Sequence, residues 1–360
     1  MDISAWFLES KNLTVYAQRR KRMLSLARGK QVVTMTAANT FWLTDFWGGG
    51  AAIVLPDKTV VVTSPLEADR AEDEGEEVEV VVVKGWKDIP SALVKLLRGA
   101  HAVTDDDLTL RAFHGFKADP DLFHRGRRVK DEIEVARIRR ASQGLDRIFE
   151  AMPHELRKGR TEREIAAEVM KIATALGLTP SGSDSALSPV IVASGENGSL
   201  PHSELTQRRL KSGDMVVVDI FFRFKGYNSD STRTFTIGTP SAEAKRNYSV
   251  VRGAQENALE VATTGSVCSD VNEAAVSVLR KNGLDRFLNH SVGHGVGIDI
   301  HELPSISKGN KTTLVENDVV TDEPGVYLPG KYGIRVEDTL VVGKQPRLLT
   351  KFTKELISCG

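Results

Sequence analysis

The sequence predicts an α/β N-terminal domain followed by an α+β C-terminal domain. At 360 residues the chain is too long for one average core and comfortable for two. From Gln31 to about Phe113, short β-branched runs (QVVTMT, AAIVL, TVVVT, EVEVVVV) alternate with helical stretches such as SALVKLLRGA, the pattern of an α/β domain. After Ser188 long strands separated by Gly-containing turns take over, with helices only near residues 241–262 and 270–282, so the second domain does not alternate regularly.

Between these halves, HRGRRVKDEIEVARIRRASQGLDRIFEAM begins basic and polar and then becomes a helix with apolar positions at Ile133, Ala136, Ile138, Ala141 and Leu145. That change puts a boundary near residues 120–130 and divides the chain into 1–122 and 123–360. Thr161 and Glu164 form a capping box opening a helix through about Leu176. Pro240 and Ser241 supply the start signal of the next one. Gly48, Gly49 and Gly50 lack the Lys-Ser/Thr ending of a phosphate loop and read as a turn between strands.

Lys plus Arg (48) balances Asp plus Glu (48), so no bulk field draws the protein to nucleic acid or an acidic membrane. The start, MDISAWFLESKNL, has no basic stretch followed by an apolar run. No segment approaches the roughly 18 apolar residues that a membrane span needs. The expectation is a cytoplasmic protein with neither nucleic-acid nor membrane partners. Cys268 and Cys359 are far apart and outside any CxxC pair, which argues against a disulfide framework and a zinc ribbon.

The chemistry is concentrated in two hairpins. GDMVVVDIFFRFKGYNSDSTRTFTIG reads as strand, turn at Phe224 to Gly226, strand, with carboxylates where Val is expected. A turn centred between Phe224 and Lys225 sets Asp219 opposite Asp230 on one face. In EPGVYLPGKYGIRVEDTLVV a turn centred on Gly330 likewise sets Glu323 opposite Glu337. Bare carboxylates facing across a sheet repel, and burying them raises their pKa values or requires a cation. A metal is the simplest resolution; solvent-facing acids on half-exposed strands are the alternative for any one of them. His294, bracketed by Gly293, Gly295 and Gly297 in SVGHGVGIDIHELP, supplies a nitrogen ligand. That stretch lacks Rossmann spacing, and HELPS lacks the second His and unbroken helix of a thermolysin-type zinc motif.

Together these motifs resemble those of the pita-bread metallopeptidases, the group that contains methionine aminopeptidase, aminopeptidase P and prolidase. The family's metal ligands fall on Asp219 in VVVDI, Asp230 in NSDSTRTF, His294 in VGHGVG, Glu323 in DEPGVY and Glu337 in GIRVED. His202 in PVIVASGENGSLPH and His301 in HELP match family active-site histidines. RRVKDEIEVARIRRA resembles the family's entry into the catalytic domain. The region before it resembles the creatinase-type N-terminal domain of the Xaa-Pro branch, which methionine aminopeptidases lack.

The resemblance implies a dimeric hydrolase with two divalent ions per subunit, Mn foremost and Co, Zn or Fe as alternatives. Asp219 would chelate one ion, His294 and Glu323 the other, with Asp230 and Glu337 bridging. Such ions, roughly 3.5–4 Å apart, acidify a shared water and polarise the scissile carbonyl. Glu323 would shuttle the proton toward the leaving nitrogen. His202 and His301 would donate to the carbonyl oxygen or tetrahedral intermediate, a buried and satisfied histidine being the alternative for each. The substrate implied is a small peptide with proline second.

Family prolidases read HE-x-P-R where this chain has Ser305, which removes an Arg able to clamp a dipeptide carboxylate; Arg335 is the remaining candidate for substrate contact. Trp42, Phe46 and Trp47 could close over a dimer partner's site, or pack locally. Xaa-Pro dipeptidase is the first expectation and Xaa-Pro aminopeptidase the alternative. A non-catalytic binding protein on the same fold or a creatinase-type reaction both predict substituted ligands, and none is substituted.

Overall fold

The computed structural model describes residues 13–97, 102–105, 116–181 and 188–360. The residues read above for an export signal fall almost wholly outside them. The chain divides into two compact units, Met1–Arg127 and Arg128–Gly360. Among the described residues no helix is long and apolar enough to cross a membrane.

The first unit runs α1 (Val15–Leu26), β1 (Gln31–Thr34), α2 (Ala37–Thr44), β2 (Ala51–Val54), β3 (Thr59–Thr63), α3 (Ala68–Glu74), β4 (Val78–Val82), α4 (Ile89–Leu96), β5 (Ala102–Thr104), β6 (Lys117–Ala118) and α5 (Leu122–Arg127). The β-branched runs form a mixed six-stranded sheet ordered β4-β3-β2-β1-β5-β6. Its core packs Val33, Ile53, Val60 and Val62 against Ile89, Leu93 and Leu97 of the α4 segment. The glycine run bridges α2 and β2 rather than two strands, because NTFWLT closes a helical turn first. Trp42 and Phe46, read as candidates to close over a partner's site, are fully buried within this unit. Trp42 meets Phe123 edge-on at 6.4 Å, and Phe41 lies 4.9 Å from Trp47, so local packing occupies all three positions.

The second unit opens with α6 (Glu132–Glu155) and α7 (Glu162–Ala175). Both start in capping boxes: Asp131 with Glu134, and the expected Thr161 with Glu164. The buried stripe of α6 is Val135, Ile138, Ala141, Leu145, Ile148, Phe149 and Met152. Ile133 and Ala136 fall off it, because the first turn is fixed by the cap rather than by the apolar run. This helix pair backs a sheet of β7 (Thr179–Pro180), β8 (Val190–Ser194), β9 (Met215–Phe224) and β10 (Tyr227–Ile237). Val216, Val218, Ile220 and Phe222 of β9 pack into the helix cluster. By the two-residue alternation of a strand, Val217, Asp219 and Phe221 face the other way.

The expected α8 (Ala242–Val261, capped by Ser241) and α9 (Cys268–Lys281) form the second helix pair. They pack with β11 (Gly293–Gly295), β12 (Glu302–Ile306), β13 (Val319–Asp322), β14 (Gly325–Leu328), β15 (Tyr332–Arg335) and β16 (Asp338–Val341). The short β17 (Arg347–Leu348) and β18 (Ser358–Cys359) edge the two sheets.

The second hairpin keeps the expected register: Asp322 pairs with Asp338 in β13–β16 and Gly325 with Arg335 in β14–β15. Both pairings are consistent with Glu323 opposite Glu337 in the break between the two ladders. The first hairpin differs from expectation. Asp219 pairs with Thr232 and Asp230 with Phe221. Its two-residue turn is Lys225-Gly226, both at positive φ (45° and 83°), the geometry that suits the twist of a tight hairpin. The shift moves the ladder by two positions, so Asp219 and Asp230 are diagonal neighbours on the same face rather than directly opposed.

Candidate metal centre

The inward faces of β9 and β10 present Asp219, Asp230 and Thr232, and the break after β13 and before β16 presents Glu323 and Glu337. His294 arrives on β11 because three glycines let the backbone approach. A Cβ at Gly293 would collide with the Thr321 carbonyl, one at Gly295 with the Leu303 carbonyl, and one at Gly297 with the Glu302 carboxylate. Thr321 Oγ1 accepts from the His294 N–H (3.1 Å). His294 Nδ1 lies 3.0 Å from the Gly295 carbonyl oxygen, which calls for the proton on Nδ1 and leaves Nε2 as a lone pair.

Asp230, His294 and Glu337 each offer a ligand atom within 4.8 Å of the others. Nε2 of His294 is 3.5 Å from Glu323 Oε1 and 3.7 Å from Asp230 Oδ2. Asp219 joins them through Arg335, whose Nη2 donates to Asp219 Oδ2 at 2.5 Å. All five side chains expected as ligands are therefore gathered in one unit.

Burial pushes the Glu323 carboxyl up to about 8. It also raises Asp230, with further repulsion from Asp219 and Glu323, and Glu337, with repulsion from Asp230 and Glu323. Burial, and next His301, push His294 down to about 3, so its imidazole is neutral near pH 7. Oδ1 of Asp219, Oδ1 of Asp230 and Oε1 of Glu337 are buried without a hydrogen-bond partner among the described residues. Buried carboxylate oxygens aimed at no donor, beside a neutral imidazole, are what divalent cations require. The residues present fit a metal.

Around them runs a chain of oriented groups. Thr232 Oγ1 donates to Glu337 Oε2 (2.6 Å) and accepts from Arg335 Nε (3.0 Å). Arg335 Nη1 donates to the Tyr327 hydroxyl (2.6 Å), which stands 2.9 Å from His290 Nε2. His290, pushed down to about 4 chiefly by burial, accepts there. Arg335 is thus 3% exposed with its nitrogens committed to Thr232, Tyr327 and Asp219. These contacts, with a longer one from Nη1 to the Pro201 carbonyl (3.5 Å), hold its side chain against the residues expected as metal ligands; its contact with substrate stays an expectation. Tyr327 and His290 were not singled out from the sequence. The available signals were the inward position of Tyr in EPGVY and a second His four residues before His294.

His202 and His301 both reach the surface, unlike satisfied core histidines. The His301 ring meets that of His294 edge-on with centroids 4.4 Å apart. Desolvation, and then the neighbouring His202, hold His301 below its ordinary pKa. The HELP segment is strand β12, not helix, and is anchored by an ion pair between Lys130 Nζ and Glu302 Oε2 (2.8 Å), with side chains 1% and 5% exposed.

Residues 136–344 match the profile of metallopeptidase family M24, and residues 19–121 match the creatinase/prolidase N-terminal domain. The chain belongs to metallopeptidase family M24. Divalent metal ions and peptidase chemistry come with that membership. Among relatives of this M24 chain, a Xaa-Pro dipeptidase of Pyrococcus furiosus is 32% identical over 317 residues, 86% of this chain and 89% of that one. A solved Xaa-Pro dipeptidase from Bacillus anthracis superposes with TM-score 0.87 at 26% identity, covering 95% and 99% of the two chains. An X-Pro aminopeptidase from Thermotoga maritima does so with TM-score 0.83 at 30% identity, covering 94% and 99%.

Proposed function

We propose that this chain is a metal-dependent exopeptidase that hydrolyses Xaa-Pro bonds, with a dipeptide as the preferred substrate. The observation that carries the reading is the set of orphaned carboxylate oxygens converging beside a neutral histidine. The dipeptidases among its relatives favour the short substrate, and the aminopeptidase neighbour keeps longer peptides as the second reading.

Asp219, Asp230, His294, Glu323 and Glu337 would hold two divalent ions, manganese first. When bound, the ions supply Lewis acidity that polarises a scissile carbonyl and acidifies water. The chain's own groups do the rest. Glu323 takes a proton from the attacking water and passes it to the leaving nitrogen. A proline nitrogen requires that step because it is a poor leaving group unless protonated. His202 and His301 donate to the carbonyl oxygen as negative charge develops there. Thr232 and Arg335 fix Glu337 and Asp219, so the acids are oriented before substrate arrives. The reading places the protein in the cytoplasm as a homodimer.

The test compares Ala-Pro, Ala-Pro-Ala and Ala-Ala as substrates for the manganese-loaded protein. Fast cleavage of Ala-Pro alone supports the dipeptidase, and cleavage mainly of Ala-Pro-Ala establishes the aminopeptidase. Cleavage of Ala-Ala at an equal rate would remove proline from the account.

A further inference from the structure

Glu162, at the start of α7, is fully buried, and its carboxylate gathers one loop from both ends. Oε1 accepts from the Ser194 N–H (2.8 Å) and the Ser194 hydroxyl (2.7 Å), where β8 ends. Oε2 accepts from the Thr206 N–H (3.2 Å) and the Thr206 hydroxyl (2.5 Å), twelve positions along the chain. The Asn197 side-chain amide donates to both oxygens, at 3.1 and 3.0 Å. His202 lies between these anchor points. The loop is pinned again where Gly198 meets Gly333 of β15 so closely that a Cβ on Gly333 would strike the Gly198 carbonyl.

We propose that Glu162 is a positioning residue for the hydrolysis, closing the 194–206 loop so that His202 stands where it can meet the substrate. This rests on the reading of His202 as a group that touches substrate. Every partner of the Glu162 carboxylate is a donor, and among the described residues none is a cation. A carboxylate, which accepts on both oxygens, matches that set. Six hydrogen bonds converging on one buried side chain fix one loop geometry. Glutamine in its place turns an NH2 group toward donors and opens one end of the clamp.

The experiment measures kcat, KM and bound manganese for Ala-Pro hydrolysis by E162Q, H202A and the double variant. A positioning role predicts that E162Q lowers kcat about ten- to hundred-fold, as misplacement of a reacting group does. KM and metal content stay within about two-fold of the parent. The double variant is no slower than the slower single variant, because both changes remove the same contribution. Thr206→Val, which at nearly constant shape removes the hydroxyl that donates to Glu162 and accepts from Asn197 and the Arg208 N–H, should follow the same direction and serves if E162Q fails to fold. Losses that multiply in the double variant, or a parental kcat in E162Q and T206V, would overturn the inference. A parental kcat in H202A would overturn the role of His202 itself, and the inference with it.

Discussion

Asp219 and Arg335 form a buried ion pair in which one carboxylate oxygen is committed to the guanidinium at 2.5 Å and the other has no hydrogen-bond partner among the described residues. The same guanidinium holds Thr232 and Tyr327, so one residue of β15 orients Asp219 directly and Glu337 through Thr232. Lysine has a single charged nitrogen and cannot reproduce that fork. Arg335→Lys is therefore expected to weaken metal binding about 10- to 100-fold, the usual effect of losing a group that orients metal ligands. Metal titration followed by fluorescence or calorimetry checks this; parental affinity would mean that Arg335 does not organise the site.

The metal-free protein should lose stability as pH rises above neutrality. Burial raises the carboxyl of Glu323 to about 8, and those of Asp230 and Glu337 as well. For an acid raised in this way, the native state binds more protons than the unfolded state between the two pKa values. The penalty is absent below the unfolded value and fully present above the folded one. The lowered histidines, His294 (about 3) and His290 (about 4), act oppositely, but only below their ordinary value of 6.5. Between about pH 6.5 and 8 the carboxylates act alone, costing about 2 kcal/mol for Glu323. Thermal melts of stripped protein should fall across that window, and more steeply than those of the manganese-loaded protein. Equal slopes with and without metal would contradict the burial argument.

Asp322 is 2% exposed, and neither of its carboxylate oxygens has a hydrogen-bond partner among the described residues. It pairs across the ladder with Asp338, whose charge is already met by Arg233 and Lys354. Burial, and then repulsion by Asp338, raise its pKa. Valine suits the buried strand environment of β13 without an uncompensated acid. Asp322→Val should stabilise the protein by about 1–3 kcal/mol at pH 7.5, read as a higher thermal midpoint. A lower midpoint would show that Asp322 holds something in place.

Much of this was legible in the residues. Hairpin strands rich in Val and Ile with acids at inward positions announced a buried carboxylate cluster, and Gly293, Gly295 and Gly297 marked the approach of His294. The register of the second hairpin followed from Gly330, which takes the left-handed conformation its turn needs. The first register did not, because it depends on Lys225 adopting positive φ, which its residue type does not advertise. The commitment of Arg335, and the recruitment of Tyr327 and His290, depend on contacts between segments far apart in sequence and carry no local periodicity. The aromatic residues Trp42 and Phe46 read equally as lid or core from their chemistry alone; only the packing around them separates the two.

The most direct measurement follows Ala-Pro cleavage while metal-stripped protein is titrated with Mn²⁺. The account predicts that the stripped protein is inactive and that activity is restored to a plateau at two ions per chain. It also predicts that Asp230→Ala recovers almost none at the same metal concentration. Full cleavage without metal, or restoration that is indifferent to Asp230, would contradict it.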